Sequence, residues 1–313
     1  MNLRTQVLPT VIASSVIRSS QQGESHGGVY IVELSSGKFR QVIDWNNPSI
    51  SWEGRGWDRG LRGIAFYERQ VYLAASDEIF VYSPTFQMLE SYRNPYLKHC
   101  HEIFIHRHKL YLTSTGFDSI LEFDLLNRTF SRGYLVQKAQ NGTFNVNPYN
   151  PNSMEGPSMS MECHINNVCW QEDTMFVSGT LMNALLAVNH GEVGSYALLP
   201  HTTHNARPYG EGVLCHDTAN DRVAYFDRRG GLIEGFPIVR YPEEQLTWTH
   251  LTADRARQGF GRGLCMTEDN LIIAGSSPST ISVYRFGQRD PLQSVRLTND
   301  IRNAVHGLKV WPY

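Results

Sequence analysis

The 313-residue chain carries 28 Lys and Arg against 30 Asp and Glu, a net charge of −2, so charge alone recruits neither nucleic acid nor an anionic membrane surface. With 41% apolar residues it can bury a sizeable core, in one large domain or two ordinary ones, yet no apolar run approaches the ~18 residues of a membrane span. The opening MNLRTQVLPTVIASSVIRSS has no clear apolar stretch with a small-residue cleavage site, and Cys100, Cys163, Cys169, Cys215 and Cys265 are odd in number and scattered, which reads as reduced buried thiols. The cytoplasm is the expected compartment, and the sequons at Asn127 and Asn141 are read as chance matches.

Helical periodicity is nearly absent along the chain. The predicted elements are short strands punctuated by Gly, Asn, Asp and Pro: GGVYIVEL, RQVIDW, GIAFYERQVYLAAS, EIFVYS, EIFIHRHKLYLTST, SILEFDL, NVCWQEDTMFVSGT, ALLAVN, RVAYFD, NLIIAGSS and TISVYRF. They recur in one order. Ser76, Thr115 and Ser276, the small residues closing a second strand, each lie 14 positions after Arg62, His101 and Arg262. HINNVCWQEDTMFVSGT and EGVLCHDTANDRVAYFD match with small shifts. A period of ~40–50 residues with four strands per unit is the pattern of a β-propeller.

Five complete units follow residue 60. The segment before them supplies three strands without a first one, and the C-terminal HGLKVW is a first strand without the other three. Joining the two completes a sixth blade and leaves no open sheet edge. The expectation is an all-β, six-bladed β-propeller over residues 1–313 as a single domain. Its C-terminal strand closes the first blade by pairing Leu308–Trp311 with Val11–Ser14, and a loop insertion spans about 140–162.

First strands of propeller blades line the central channel, so their head residues converge on the axis. That slot reads Arg62, His101, Asn166 (with His164 two residues earlier), Glu211, Arg262 and His306. Polar groups gathered on one axis are costly to bury unless they pair or bind something. His101, His164 and His306 come from three blades, and three imidazoles with an open position suit zinc or another divalent transition metal. Glu211 then offers a fourth ligand or a general base. Against this stands the reading that each histidine only caps its strand. Arg62 and Arg262 flank His306 and read as clamps for carboxylate or phosphate, or as charges balanced by Glu211 or Glu102. His216 reads as a turn histidine; His190, His201, His204 and His250 fall in loops without pattern. The loops Ser51–Gly63 and Gln140–Glu162 lead into slot residues. Trp52, Trp57, Tyr149, Met159 and Met161 would line an apolar pocket there with Asn166 beside them, or serve as packed loop anchors.

The repeat resembles the six-bladed propellers of the broad TolB-like and NHL-like group. Three axial histidines from separate blades also resemble peptidyl-hydroxyglycine amidating lyase, in which such a trio holds zinc with an arginine nearby. That resemblance implies His101, His164 and His306 as metal ligands and Arg62 or Arg262 as the charged partner. In the gluconolactonase and regucalcin family the metal is held by Glu, Asn and Asp, a scheme that only Glu211 and Asn166 would match. The function expected is a metal-dependent lyase or hydrolase, with zinc or iron as cofactor, acting on a small anionic molecule; no nucleic acid or membrane partner is expected. The alternative is a non-catalytic propeller that binds a protein or ligand.

Overall fold

The computed structural model describes residues 7–46 and 60–313. Within them the chain forms six antiparallel sheets. Blade 1 holds β1 (Thr10–Ile17), β2 (Gly28–Glu33) and β3 (Lys38–Asp44). Blade 2 is β4 (Leu61–Tyr67), β5 (Gln70–Ala75), β6 (Glu78–Tyr82) and β7 (Met88–Arg93). Blade 3 is β8 (Ile103–His106), β9 (Lys109–Ser114), β10 (Ser119–Asp124), β11 (Thr129–Lys138) and β12 (Phe144–Tyr149). Blade 4 is β13 (Ile165–Gln171), β14 (Thr174–Gly179), β15 (Ala184–Asn189) and β16 (Glu192–Leu198). Blade 5 is β17 (Thr203–Tyr209), β18 (Gly212–Asp217), β19 (Arg222–Asp227) and β20 (Leu232–Pro237). Blade 6 is β21 (Arg262–Met266), β22 (Ile272–Ser276), β23 (Thr280–Arg285) and β24 (Gln288–Arg296). The last strand, β25 (Asn303–Val310), returns to blade 1, whose order is β25-β1-β2-β3. Among the described residues the helical turns are two short 3-10 turns, and no helix is long and apolar enough to cross a membrane.

Burial explains why the apolar signal is strong in the middle of each unit and weak at its rim. Strands such as β5 and β22 are buried almost along their whole length, because both faces of the blade are covered by neighbouring blades. Outer strands such as β7 and β16 are mostly exposed or half-buried and carry polar residues. The core is divided accordingly into six apolar clusters, one at each seam between blades. Ala74, Ile79 and Val81 of blade 2 meet Ile103, Leu112 and Phe123 of blade 3. Ile273 and Val283 of blade 6 meet Val11 and Val32 of blade 1. All five cysteines are buried and free.

The clasp forms as expected. β25 runs antiparallel to β1 with Val11 opposite Val310, Ala13 opposite Leu308 and Ser14 opposite Gly307. Trp311 lies just past the paired stretch and stacks on Phe86 with ring centres 5.4 Å apart. Two expectations change. Part of the segment read as a loop, Phe144–Tyr149, is a fifth strand paired to β11; its Asn and Pro residues hid the alternation of an edge strand. In blade 5 the inner strand is THNARPY, β17, and Gly212–Asp217 is the second strand. Asn205, Ala206 and Pro208 give β17 no apolar alternation, so the sequence reading started that blade one strand late.

Candidate axial site

Five of the six inner strands depart from regular pairing near their heads. In β4, β13, β17, β21 and β25 the register shifts by one extra residue, at Arg62–Gly63, Asn166, Asn205–Ala206, Gly263 and His306 respectively. A β-bulge leaves a residue out of the ladder and re-aims its side chain. Repeated round the propeller, the device gathers polar side chains where the inner strands begin. Blade 3 reaches the same end differently. His101 and Glu102 precede β8, and both of their backbone N–H groups donate to Thr113 Oγ1, at 2.9 and 3.0 Å.

His306 is the extra residue of its strand, and Gly307 follows because the chain is crowded there. A Cβ on Gly307 would lie 2.1 Å from the Arg62 carbonyl oxygen and 2.6 Å from Ser14 Oγ. Instead the Gly307 N–H donates to Ser14 Oγ at 2.9 Å, and Ser14 Oγ donates to the Arg62 carbonyl. One serine thus ties His306 to Arg62 across the seam. His164 has a left-handed φ of +51°, which costs free energy for a residue other than glycine. The buried Asp118 carboxylate holds it there by accepting from the backbone N–H groups on either side, Cys163 at 3.0 Å and Ile165 at 3.4 Å.

These supports bring the three histidines together. The His101 ring centre lies 5.9 Å from that of His164 and 6.1 Å from that of His306. His306 is 4% exposed, and its Nε2 has no hydrogen-bond partner among the described residues. Arg62 is 1% exposed, and its Nη1 donates to the Cys100 carbonyl at 3.2 Å. Arg262 Nη1 donates to the Gly261 carbonyl at 3.1 Å and to Thr218 Oγ1 at 3.3 Å.

The three histidines are shifted in one direction. Burial pushes His101 and His306 well below the ordinary histidine range, and Arg62 and Arg262 push both further down. His164 is lowered by burial and then by Arg262, is raised in opposition by Asp118, and is lowered least by Arg62. All three are therefore neutral near pH 7 and present a ring nitrogen lone pair each.

Two more histidines belong to this mouth and escaped the sequence reading. His204 lies at the head of β17, where Nδ1 donates to the Thr202 carbonyl at 2.9 Å; because that carbonyl can only accept, Nε2 is left as an acceptor. Burial and Arg262 lower it well below the usual range. The strand misassignment in blade 5 concealed it. His216 is no turn residue but sits in β18, fully buried, with Nε2 donating to the Gly263 carbonyl at 3.1 Å; burial lowers it to about 4.

The other expected site residues lie as follows. Glu211 is not on the axis: it occupies the turn between β17 and β18, its side chain is 99% exposed, and its nearest charge is Arg228 at 3.7 Å. The late start of blade 5 caused that error. Glu102 is buried, and its Oε2 accepts from Asn205 Nδ2 at 2.8 Å. Asn205 in turn accepts from the Gly263 N–H at 3.0 Å, so this carboxylate links blades 3, 5 and 6. Asn166 is buried in the seam and donates to Thr180 Oγ1 at 3.2 Å and the Thr203 carbonyl at 3.0 Å. Met161 is exposed three residues before His164. Tyr149 packs against Tyr96. Trp52 and Trp57 lie outside the described residues. Among the described residues no group of three or more His, Cys, Asp and Glu side chains is placed to hold a metal ion.

No protein-family model matches the chain, and no curated protein matches it in sequence. Among solved structures, a protein of unknown function from Bacteroides caccae aligns over 96% of this chain and 98% of its own, with a TM-score of 0.56 and 8% identity. A chain of the mitotic checkpoint complex aligns over 92% and 94%, with a TM-score of 0.52 and 9% identity. A streptogramin B lyase aligns over 76% of this chain and 72% of its own at 12% identity, but its TM-score of 0.42 carries no argument. These likenesses establish the fold, a six-bladed propeller, and nothing about chemistry.

Proposed function

We propose that the axial mouth is the active site of a lyase- or hydrolase-type enzyme that acts on a small anionic molecule. One observation supports this reading above the rest: the imidazoles of His101, His164 and His306, from three blades, stand with ring centres 5.9 and 6.1 Å apart, and Arg62 and Arg262 are buried at the heads of inner strands of the same ring. Guanidinium groups bind carboxylate or phosphate through paired N–H donors and stabilise charge that develops on it. A neutral imidazole beside that anion accepts a proton, which is the general-base requirement of both reaction types. In this reading Arg62 and Arg262 bind the anion, and His101 and His306 hold and move the proton. Glu211 has no part, since it lies in a surface turn.

A second reading keeps the same residues and adds a divalent transition metal, zinc or iron. The three rings are neighbours, at spacings of 5.9 and 6.1 Å, but do not form a metal site as they stand. These spacings are wider than the roughly 5 Å between ring centres that metal–nitrogen bonds of about 2.1 Å require, so the rings must close by about 1 Å. Three imidazoles are a zinc or iron donor set, and a metal held by them would supply Lewis-acid polarisation of the bound anion.

Two measurements test these readings. In calorimetric titration with acetate and inorganic phosphate, Arg262→Lys keeps the charge but loses the fork. It should weaken anion binding by about tenfold or more with little change in melting temperature. Unchanged binding would place Arg262 in the scaffold. Elemental analysis of protein purified without chelator addresses the metal: about one equivalent, lost in His101→Ala, supports it. Metal-free protein that still binds anions leaves imidazole chemistry alone, and metal-free protein that binds no anion points to an interaction module.

A further inference from the structure

A cavity of about 710 Å³ opens between blades 3 and 4, within the size range of small-molecule sites. It lies away from the axial histidines. His101 and His164 precede β8 and β13, whereas His106 and Trp170, near the far ends of those strands, line the cavity. Cross-strand neighbours build its two walls, because directly opposed residues share one sheet face. On blade 3, Tyr111 is opposite Glu122 and Glu122 is opposite Arg132. On blade 4, Trp170 is opposite Met175 and Met175 is opposite Val188. One wall is therefore largely polar and the other apolar. Val146 of β12, the strand that blade 3 has beyond four, adds to the lining. Rings stiffen the apolar wall: His106 stacks on Trp170 with ring centres 4.5 Å apart, and Tyr111 meets Trp170 at 4.8 Å. Trp170 Nε1 is buried with no hydrogen-bond partner among the described residues, and such a donor is costly unless an oxygen reaches it. Sheets that face each other about 10 Å apart leave a slot between them, which suits a flat molecule.

The charges of the lining do not cancel. Arg107 pairs with Asp173 at 2.5 Å. Lys109 Nζ lies 2.7 Å from Asp124 and 3.5 Å from Glu122. Glu122 also accepts from Ser131 Oγ at 2.7 Å and from the Tyr134 hydroxyl at 3.1 Å. Arg132, across the strand from Glu122, forms no ion pair among the described residues. The slot thus holds one cation more than its carboxylates balance, and a guanidinium fork matches a carboxylate.

We propose that this slot between blades 3 and 4 is a second binding site, which takes a flat aromatic monocarboxylate with its rings between the two walls and its carboxylate on Arg132. The site is separate from the axial one and does not depend on what the axial histidines do.

The test is calorimetric titration of the full-length protein at neutral pH with naphthoate, naphthylmethanol and acetate, repeated on Arg132→Met and Val146→Trp. Wild type should bind naphthoate at least about tenfold more tightly than the alcohol, which lacks the charge, or acetate, which lacks the rings. Arg132→Met should bring naphthoate down to the affinity of the alcohol while the alcohol changes by no more than about twofold. Arg132 is exposed, so this variant should fold as wild type does. Val146→Trp pushes an indole into the slot from an edge strand and should weaken both ring compounds several-fold. Should that variant fail to fold, the loss of charge preference in Arg132→Met still decides the matter. Naphthoate bound no more tightly than the other two, or bound equally well by wild type and Arg132→Met, overturns the inference. Naphthoate binding that Arg262→Lys weakens and the slot variants do not would belong to the axial mouth and would overturn it too.

Discussion

His306 is aimed at the axis because its strand carries one residue more than its partner, and Gly307 is required beside it because no Cβ fits against the Arg62 carbonyl. Burial holds several histidines neutral in the folded state, which ties stability to pH. His216 titrates at about 4 when folded against about 6.5 in an unfolded chain. Between those values the unfolded chain binds the extra proton, so stability is complete above pH 6.5 and is lost as pH falls towards 4. The full window is worth about 3 kcal/mol for this one residue, and His101, His204 and His306 act in the same direction. Urea unfolding measured from pH 7 to 4.5 should show a steep fall that His216→Gln makes shallower by up to one proton. A flat wild-type profile would mean that these rings are not held neutral.

At the scale of the strand, the bulge explains both what the sequence revealed and what it hid. Arg62, Arg262 and His306 stood out because each precedes a glycine and an apolar run. His204 did not, because Asn205, Ala206 and Pro208 follow it and β17 has no apolar alternation; Glu211 was put in its place. The crowding at the bulges is itself testable. Gly307→Ala should destabilise the protein by roughly 2–4 kcal/mol in chemical unfolding, since backbone must move to admit the Cβ. Gly194→Ala, with open space around it, should stay within about 0.5 kcal/mol. Equal effects would show that the β25–β4 seam is looser than its geometry indicates.

The whole molecule is a closed ring whose stability depends on its last strand. Removing Val305–Tyr313 takes away most of β25, leaves β1 with an open edge and splits the apolar clusters at the two seams of blade 1. Calorimetry should then show no cooperative transition; a truncated chain that melts like the intact one contradicts the clasp. This architecture was legible in the sequence because every blade repeats the same buried middle strands, and missing first and last partners imply each other. The axial site was half legible. His101, His164 and His306 share a slot that a repeat alignment exposes. His204 shares that mouth through Arg262 but lies in a strand whose sequence hides its register. The most direct measurement is a crystal structure of the protein soaked in selenate, located by its anomalous signal. Selenate should sit within hydrogen-bond reach of Arg62 and Arg262 beside the rings of His101 and His306. Selenate bound only on the outer surface, with the axial mouth empty at saturating concentration, would contradict the account.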